Sequence, residues 1–174
     1  MTPASRVESV FATCFRGTHG TLMLGGNDEP VYQPGSPSLI LYRSDYVASA
    51  LHEVAHWCIA GAERRRQVDY GYWYESRRGA SLQARFESAE CRPQALEWVL
   101  SLAAAQPFRV SIDNDDTLIA SSHTRFRRSV QVAARELLAL GLPLRAVRFA
   151  RALERAFGGA LPTDRLLARE LPAC

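Results

Sequence analysis

The sequence predicts an α+β fold: a single domain that is mainly helical and carries a small β-sheet. The chain has 174 residues, of which 47% are hydrophobic and 22% charged, and a chain of this kind can bury one core. Most of it divides into segments with the apolar spacing and length of helices. Two short apolar runs near the N-terminus are instead flanked by turn-forming residues, as strands are. Because no repeat, low-complexity tract or linker interrupts the sequence, we expect residues 1–174 to form one domain.

Local patterns place the elements along the chain. Val7, Phe11 and Phe15 recur at helical spacing and predict a helix over residues 5–16. Runs with the composition of strands are found at residues 21–24, 38–42, 68–74 and, more weakly, 108–112. Further helices are predicted over residues 46–60, 81–105, 123–140 and 144–157.

The helix predicted over residues 46–60 has clear end signals. Ser44 or Asp45 is a candidate N-cap, the segment contains no proline or glycine, and Gly61 is placed to end it. In the next predicted helix, Pro93 is expected either to kink the helix or to begin a second one. The helix predicted over residues 46–60 carries the histidines discussed below.

Composition favours a protein of the cytoplasm. The formal net charge is only +3, although all 21 basic residues are arginine. Arginine clusters attract acidic partners, but a solvated surface is the favoured explanation for any one cluster, so we expect no direct nucleic-acid role. No apolar run has the length of a membrane span and no secretion signal is recognisable, so no membrane association is expected. The four cysteines form no CxxC pair, which favours a reducing compartment.

Residues 52–56 read His-Glu-Val-Ala-His, and this HExxH motif indicates metal chemistry. Two histidines four residues apart on a helix project from the same face, so His52 and His56 can share one metal ion. The alternative is a helix whose two histidines bind nothing. The apolar residues around the pair argue against it, because they place at least one histidine near the core, where an unpartnered imidazole is costly.

A third ligand and the type of chemistry remain open at this point. Glu87 and Glu90 lie three residues apart on a predicted helix, and either could face the histidines. In a zinc hydrolase, Glu53 would be the general base that activates a metal-bound water. In a non-haem iron oxygenase, two histidines and one carboxylate would hold iron and leave positions free for oxygen chemistry. The motif alone does not decide between the two.

Longer runs around the motif resemble those of a known protein family. The run YVASALHEVAHWCIAG at residues 46–61 is similar almost throughout to the metal helix of the bacterial elongation factor P hydroxylases. Similar runs occur, in the order of the family, at residues 27–32, 68–74, 86–90, 93–98 and 107–114. The chain departs from the family pattern at residues 35–38, where it is shorter, and beyond residue 116, where only scattered positions match.

The resemblance implies a hydroxylase (a monooxygenase) that acts on the β-lysylated lysine of elongation factor P. It implies a metal centre of two histidines and one carboxylate on a zincin-like helix, with Fe²⁺ as the favoured metal and molecular oxygen as co-substrate; Zn²⁺ is the other candidate metal. Carried onto this sequence, the ligands are His52, His56 and Glu90, with Glu87 in reserve and Glu53 as a catalytic proton carrier. The rival hypothesis is an HExxH zinc metalloprotease.

A substrate channel is expected beside the metal. A hydroxylase of this family must receive a long cationic side chain, and Asp69, Tyr70, Tyr72 and Trp73 combine a carboxylate with aromatic faces in one short segment. Taken one at a time, each of these aromatic residues is better explained as part of the core. Their grouping nevertheless makes them the candidate channel residues.

Overall fold

Helices predominate in the computed structural model, which describes residues 1–72, 80–111 and 120–161. Within these ranges the chain forms five α-helices and one three-stranded sheet, so the predicted mainly helical α+β domain is confirmed. The elements are α1 (Pro3–His19), β1 (Thr21–Asn27), β2 (Val31–Gln33), β3 (Ser38–Arg43), α2 (Val47–Ile59), α3 (Ala80–Ala103), α4 (Ala120–Leu140) and α5 (Leu144–Phe157). No helix in the described ranges has both the length and the apolar content needed to cross a bilayer.

The sheet has the order β1-β3-β2. Strand β3 pairs in parallel with β1 and antiparallel with β2, which leaves β2 at an edge. Strand β2 has only three residues and was not predicted, because so short a run carries no recognisable alternation. Its edge position exposes its outer backbone to the segment that follows α2, and one wall of the site described below is attached there.

Helix α2 is held in place by an aromatic cluster. Its apolar face is almost fully buried, and Trp57 packs against Phe15 and Phe11 of α1 with ring centroids 4.8 and 5.2 Å apart. Phe149 of α5 closes the cluster, 5.8 Å from Phe11. Such aromatic pairs each add roughly 0.5 to 1.5 kcal/mol beyond the area that they bury, so the cluster fixes α2 against two other helices.

The two ends of α2 differ from the prediction. The N-cap is Tyr46 and no side chain caps the helix there, so Ser44 and Asp45 were wrongly proposed. At the other end the cap is Ala60 rather than Gly61, and the guanidinium of Arg145 replaces a glycine turn.

Arg145 comes from α5 and donates to the carbonyl oxygens of Trp57 (3.1 Å), Cys58 (3.0 Å) and Ala60 (2.7 Å). Arg65 also donates to the Ala60 carbonyl. A helix end leaves its last carbonyls without partners and carries partial negative charge, so a cationic donor both satisfies and stabilises it. The arginine thus fixes the C-terminal end of the helix that carries the histidines.

Helix α3 is continuous through Pro93, so a second helix does not begin there. One stripe of the helix is polar and buried, and it consists of Gln83, Glu87, Glu90, Gln94, Glu97 and Ser101. These positions recur at helical spacing and therefore share one face. The side chain of Gln94 exchanges two hydrogen bonds with the backbone of Ser111, so the stripe also anchors the segment after the helix.

Two predicted strands are wrong where the structure describes them. Val68–Gly71 forms a 3₁₀ turn, with positive φ at Asp69 (47°), Tyr70 (58°) and Gly71 (75°). Residues 108–111 have no regular secondary structure. Aromatic and β-branched content also suits an irregular segment that packs its side chains inward, and this is what occurs near residue 70.

Candidate metal centre

Three ligand atoms converge between α2 and α3. His52 and His56 lie one turn apart on α2, and their Nε2 atoms are 3.1 Å apart. Oε2 of Glu90, on α3, lies 3.3 Å from Nε2 of His52 and 3.4 Å from Nε2 of His56. In the part of the chain that the structure describes, these three side chains form a group that could hold a metal ion.

The spacing of the three atoms fits a metal. Metal bonds of about 2.0 to 2.2 Å to histidine and carboxylate put neighbouring ligands roughly 2.8 to 3.6 Å apart in octahedral or tetrahedral geometry. All three separations, from 3.1 to 3.4 Å, lie in that range. Two imidazole nitrogens and a carboxylate oxygen also present lone pairs to one point, which is unfavourable unless a cation or protons occupy it.

Glu97 orients His52. The Nδ1–H group of His52 donates to Oε2 of Glu97 at 2.8 Å, and the Glu97 side chain is buried. A proton held on Nδ1 leaves the lone pair of Nε2 facing the centre, which is the form of histidine that binds a metal. Sequence patterns did not single out Glu97 as a site residue. The signal that could have identified it is its seven-residue spacing from Glu90, because this spacing puts both carboxylates on one face of α3.

Electrostatics in the centre favour positive charge. Burial acts to raise the pKa of Glu90, but the neighbouring His56 and His52 outweigh it and hold that pKa well below its usual range. Burial acts to lower the pKa of His52, but hydrogen bonds to Glu90 and Glu97 raise it well above its usual range. Both shifts have the same meaning: the site stabilises a cation shared between these side chains.

Glu87, the reserve ligand, lies outside this group. Its Oε1 accepts a hydrogen bond from Nε2 of Gln83 at 3.2 Å, and its Oε2 is 4.0 Å from a guanidinium nitrogen of Arg125. Of the two glutamates that sequence spacing left open, Glu90 is thus the one beside both histidines.

A cavity of about 590 Å³ opens onto the centre. Glu53 lines it and is 9% exposed. Burial raises the pKa of Glu53, and the charges of His52 and His56 oppose that shift. Three of the predicted channel residues, Asp69, Tyr70 and Tyr72, line the same cavity, while Trp73 lies outside the described residues.

The wall formed by Asp69 and Tyr70 is attached to β2. The backbone N–H of Tyr32 donates to Oδ1 of Asp69 at 2.8 Å, and the rings of Tyr32 and Tyr70 stack with centroids 4.5 Å apart. The Tyr70 ring is in turn nearly parallel to the imidazole of His56, at 6.1 Å. Left-handed backbone costs on the order of 1 to 3 kcal/mol at each non-glycine residue, and these contacts hold Asp69 and Tyr70 in it.

Comparison with known proteins identifies the family of the chain. Residues 10–165 match the family model described as elongation factor P hydroxylase. The chain is also 37% identical over 152 residues to the elongation factor P lysine hydroxylase of Haemophilus influenzae, which covers 84% of this chain and 85% of the relative. Neither match supports the metalloprotease alternative. Because the family model spans most of the chain, α2 and α3 included, and the relative is similar over most of both lengths, the chain belongs to the elongation factor P hydroxylase family.

Proposed function

We propose that this protein hydroxylates the β-lysylated lysine of elongation factor P at a metal held by His52, His56 and Glu90. The observation that carries the proposal is the convergence of these three ligand atoms, within 3.4 Å of one another, in a chain of the hydroxylase family. The family supports the choice of substrate and reaction, and the geometry supports the choice of site.

The ligand set supports Fe²⁺ as the metal. Two imidazoles and one carboxylate on one side of an ion leave its other positions free, as in non-haem iron oxygenases. When bound, Fe²⁺ would supply the activation of molecular oxygen that inserts one oxygen atom into a C–H bond, with an external two-electron reductant. We further propose that the helix with the HExxH motif is zincin-like and that it serves oxygen chemistry here rather than hydrolysis.

The residues around the ligands have separate tasks in this proposal. Glu97 keeps His52 in the tautomer that faces the metal. Glu53, buried in the cavity beside the histidines, carries protons to and from the reacting groups. Asp69, Tyr70 and Tyr72 form the wall along which the substrate side chain enters.

Intact-mass measurement of elongation factor P tests the proposal. The factor is purified from cells with the gene, from cells without it, and from cells that carry the His56→Ala variant. We expect a gain of one oxygen atom on the lysylated factor only with the intact gene. Cells unable to attach β-lysine provide the control for the modified form, because their factor should gain no oxygen. An unchanged mass with the intact gene would contradict the proposal.

A further inference from the structure

The interior of the cavity carries more negative charge than the centre itself needs. Four of its lining residues are buried or half-buried acids: Glu53, Asp69, Glu90 and Glu97. The two lining arginines, Arg43 and Arg109, are both exposed. Since charges near the surface are screened by water and salt, they compensate buried carboxylates poorly.

A divalent metal would balance only part of this charge. Glu90 and Glu97 are already engaged with the histidines. Glu53 is 9% exposed and makes no hydrogen bond with any residue in the described ranges. Asp69 uses Oδ1 to accept from the backbone of Tyr32, and the described residues provide no hydrogen bond to its other oxygen. Both carboxylates line the cavity, so each has an oxygen atom available to accept a hydrogen bond from a donor group that enters it.

An aromatic residue lies beside the two acids. Tyr70 lines the cavity and is 4% exposed, and its hydroxyl is buried without a hydrogen-bond partner among the described residues. The ring of Tyr32 stacks on Tyr70 and the imidazole of His56 lies nearly parallel to it, so the faces of the Tyr70 ring are covered by the protein. The group that Tyr70 can offer to a ligand is its unpaired hydroxyl, which can accept a hydrogen bond from an ammonium group.

We propose that Asp69 and Glu53, with Tyr70, form a subsite for the ammonium groups of the substrate side chain. This inference rests on the proposed function for the identity of the substrate. A lysine extended by β-lysine carries two ammonium groups, whereas an unextended lysine carries one. Two carboxylates outside the metal centre match two ammonium groups, so the subsite selects the extended side chain by charge.

The Asp69→Asn variant tests the subsite with little structural change. Asparagine removes the charge, its side-chain oxygen can still accept from the Tyr32 N–H, and it tolerates the left-handed backbone at this position. The matched control is Glu63→Gln, which removes one charge from a side chain that is 79% exposed and outside the cavity lining.

The probe is Nα-acetyl-Nε-(β-lysyl)-lysine methylamide, compared with the same compound acetylated on both free amines. Calorimetry of the metal-loaded protein measures the Kd of each compound. We expect Asp69→Asn to weaken binding of the dicationic probe by about tenfold or more, since a charge-assisted hydrogen bond is lost, and to leave the acetylated compound unaffected. Glu63→Gln should bind both compounds as the wild type does.

The outcomes separate this inference from the proposed function. Wild-type protein that hydroxylates elongation factor P but binds both compounds equally would overturn the subsite and leave the function intact. An Asp69→Asn variant that binds the dication as tightly as the wild type would overturn the subsite as well. Selective, Asp69-dependent binding of the dication without hydroxylation would support the subsite and contradict the function. Because the comparison of the two compounds needs only the wild type, a variant that fails to fold does not remove the test.

Discussion

The two faces of helix α2 contact opposite kinds of side chain. On one face, Trp57 and its neighbours pack against the aromatic rings of α1 and α5. On the other, His52 and His56 meet two carboxylates of α3. One helix thus separates stability from chemistry: the apolar face fixes the backbone, and the polar face uses that rigidity to bring charged atoms within 3.4 Å of one another.

The apolar face has to stabilise the fold because the charged groups on the polar face destabilise it. Burying charged groups costs several kcal/mol per ion unless they are well paired, and groups of like charge in the centre repel one another when no metal is bound. The aromatic cluster and the capping of α2 by Arg145 provide stabilisation that does not depend on the metal. If this division is correct, changes on the apolar face should alter stability but not metal binding, and changes on the polar face should alter metal binding or turnover but not the fold.

Loss of a ligand should have the largest effect. We expect His52→Ala, His56→Ala and Glu90→Gln each to abolish metal retention while the protein stays folded, because none of the three side chains belongs to the apolar face of α2. Elemental analysis after metal loading and dialysis gives the metal content, and circular dichroism gives the fold.

Glu87→Gln is the matched control for Glu90→Gln, since both glutamates are buried on α3 and lie one turn apart. It should retain the metal. A titration in which Glu87→Gln loses the metal and Glu90→Gln keeps it would exchange the two roles, and full occupancy in either histidine variant would remove that histidine from the site.

Glu53→Gln should act on turnover rather than on metal retention. The carboxylate lines the cavity beside the histidines but is not one of the converging atoms, so the variant should retain its metal and lose roughly 10² to 10⁴ in rate, the usual contribution of a positioned proton carrier. Single-turnover assays on elongation factor P at matched metal content measure this. A fully active variant would leave Glu53 no catalytic role.

Phe11→Ala should act on stability alone. Its ring contacts those of Trp57 and Phe149, and truncation of a buried phenylalanine costs about 3 to 5 kcal/mol in the free energy of unfolding. Urea denaturation of the metal-free protein measures the loss. Leu144→Ala, at a side chain that is 89% exposed, should change the same quantity by no more than about 0.5 kcal/mol. Metal affinity that falls in Phe11→Ala while it remains folded would show that the faces are coupled.

Glu97→Ala should have the smallest effect of the four. Loss of the carboxylate that orients a metal-binding histidine typically lowers metal affinity by about 10- to 100-fold. Glu97→Gln should lose less, because its side-chain oxygen can still accept from Nδ1–H of His52. Competition with a chelator of known affinity measures both variants. Equal affinity in Glu97→Ala and the wild type would mean that the packing of α2 orients His52 without help.

Elements defined by neighbours along the chain were predicted well. Helix α2 was expected over residues 46–60 and occupies Val47–Ile59, and α5 was expected over residues 144–157 and occupies Leu144–Phe157. Helical periodicity needs only a few successive residues to be visible. The same local reasoning placed His52 and His56 on one face, which the structure bears out.

Elements that depend on distant partners were predicted poorly. The segment Val68–Gly71 has the composition of a strand, but its left-handed residues are held by a hydrogen bond and a ring stack with Tyr32, which lies 37 residues before Asp69. Strand β2 exists through its pairing with β3. Neither interaction leaves a pattern within the segment itself.

Patterns in the sequence were enough to predict the helices, the pair of histidines, the two glutamates that could join them and the family resemblance, which the comparisons confirm. The packed structure was needed to show that Glu90 lies beside both histidines, that Glu97 holds His52, and that Asp69 and Tyr70 turn into the same cavity. This division arises because spacing along a helix fixes which side chains share a face. Which of those side chains meet a second helix depends on the distance and rotation between the two helices, and these are set by the packing of the whole core.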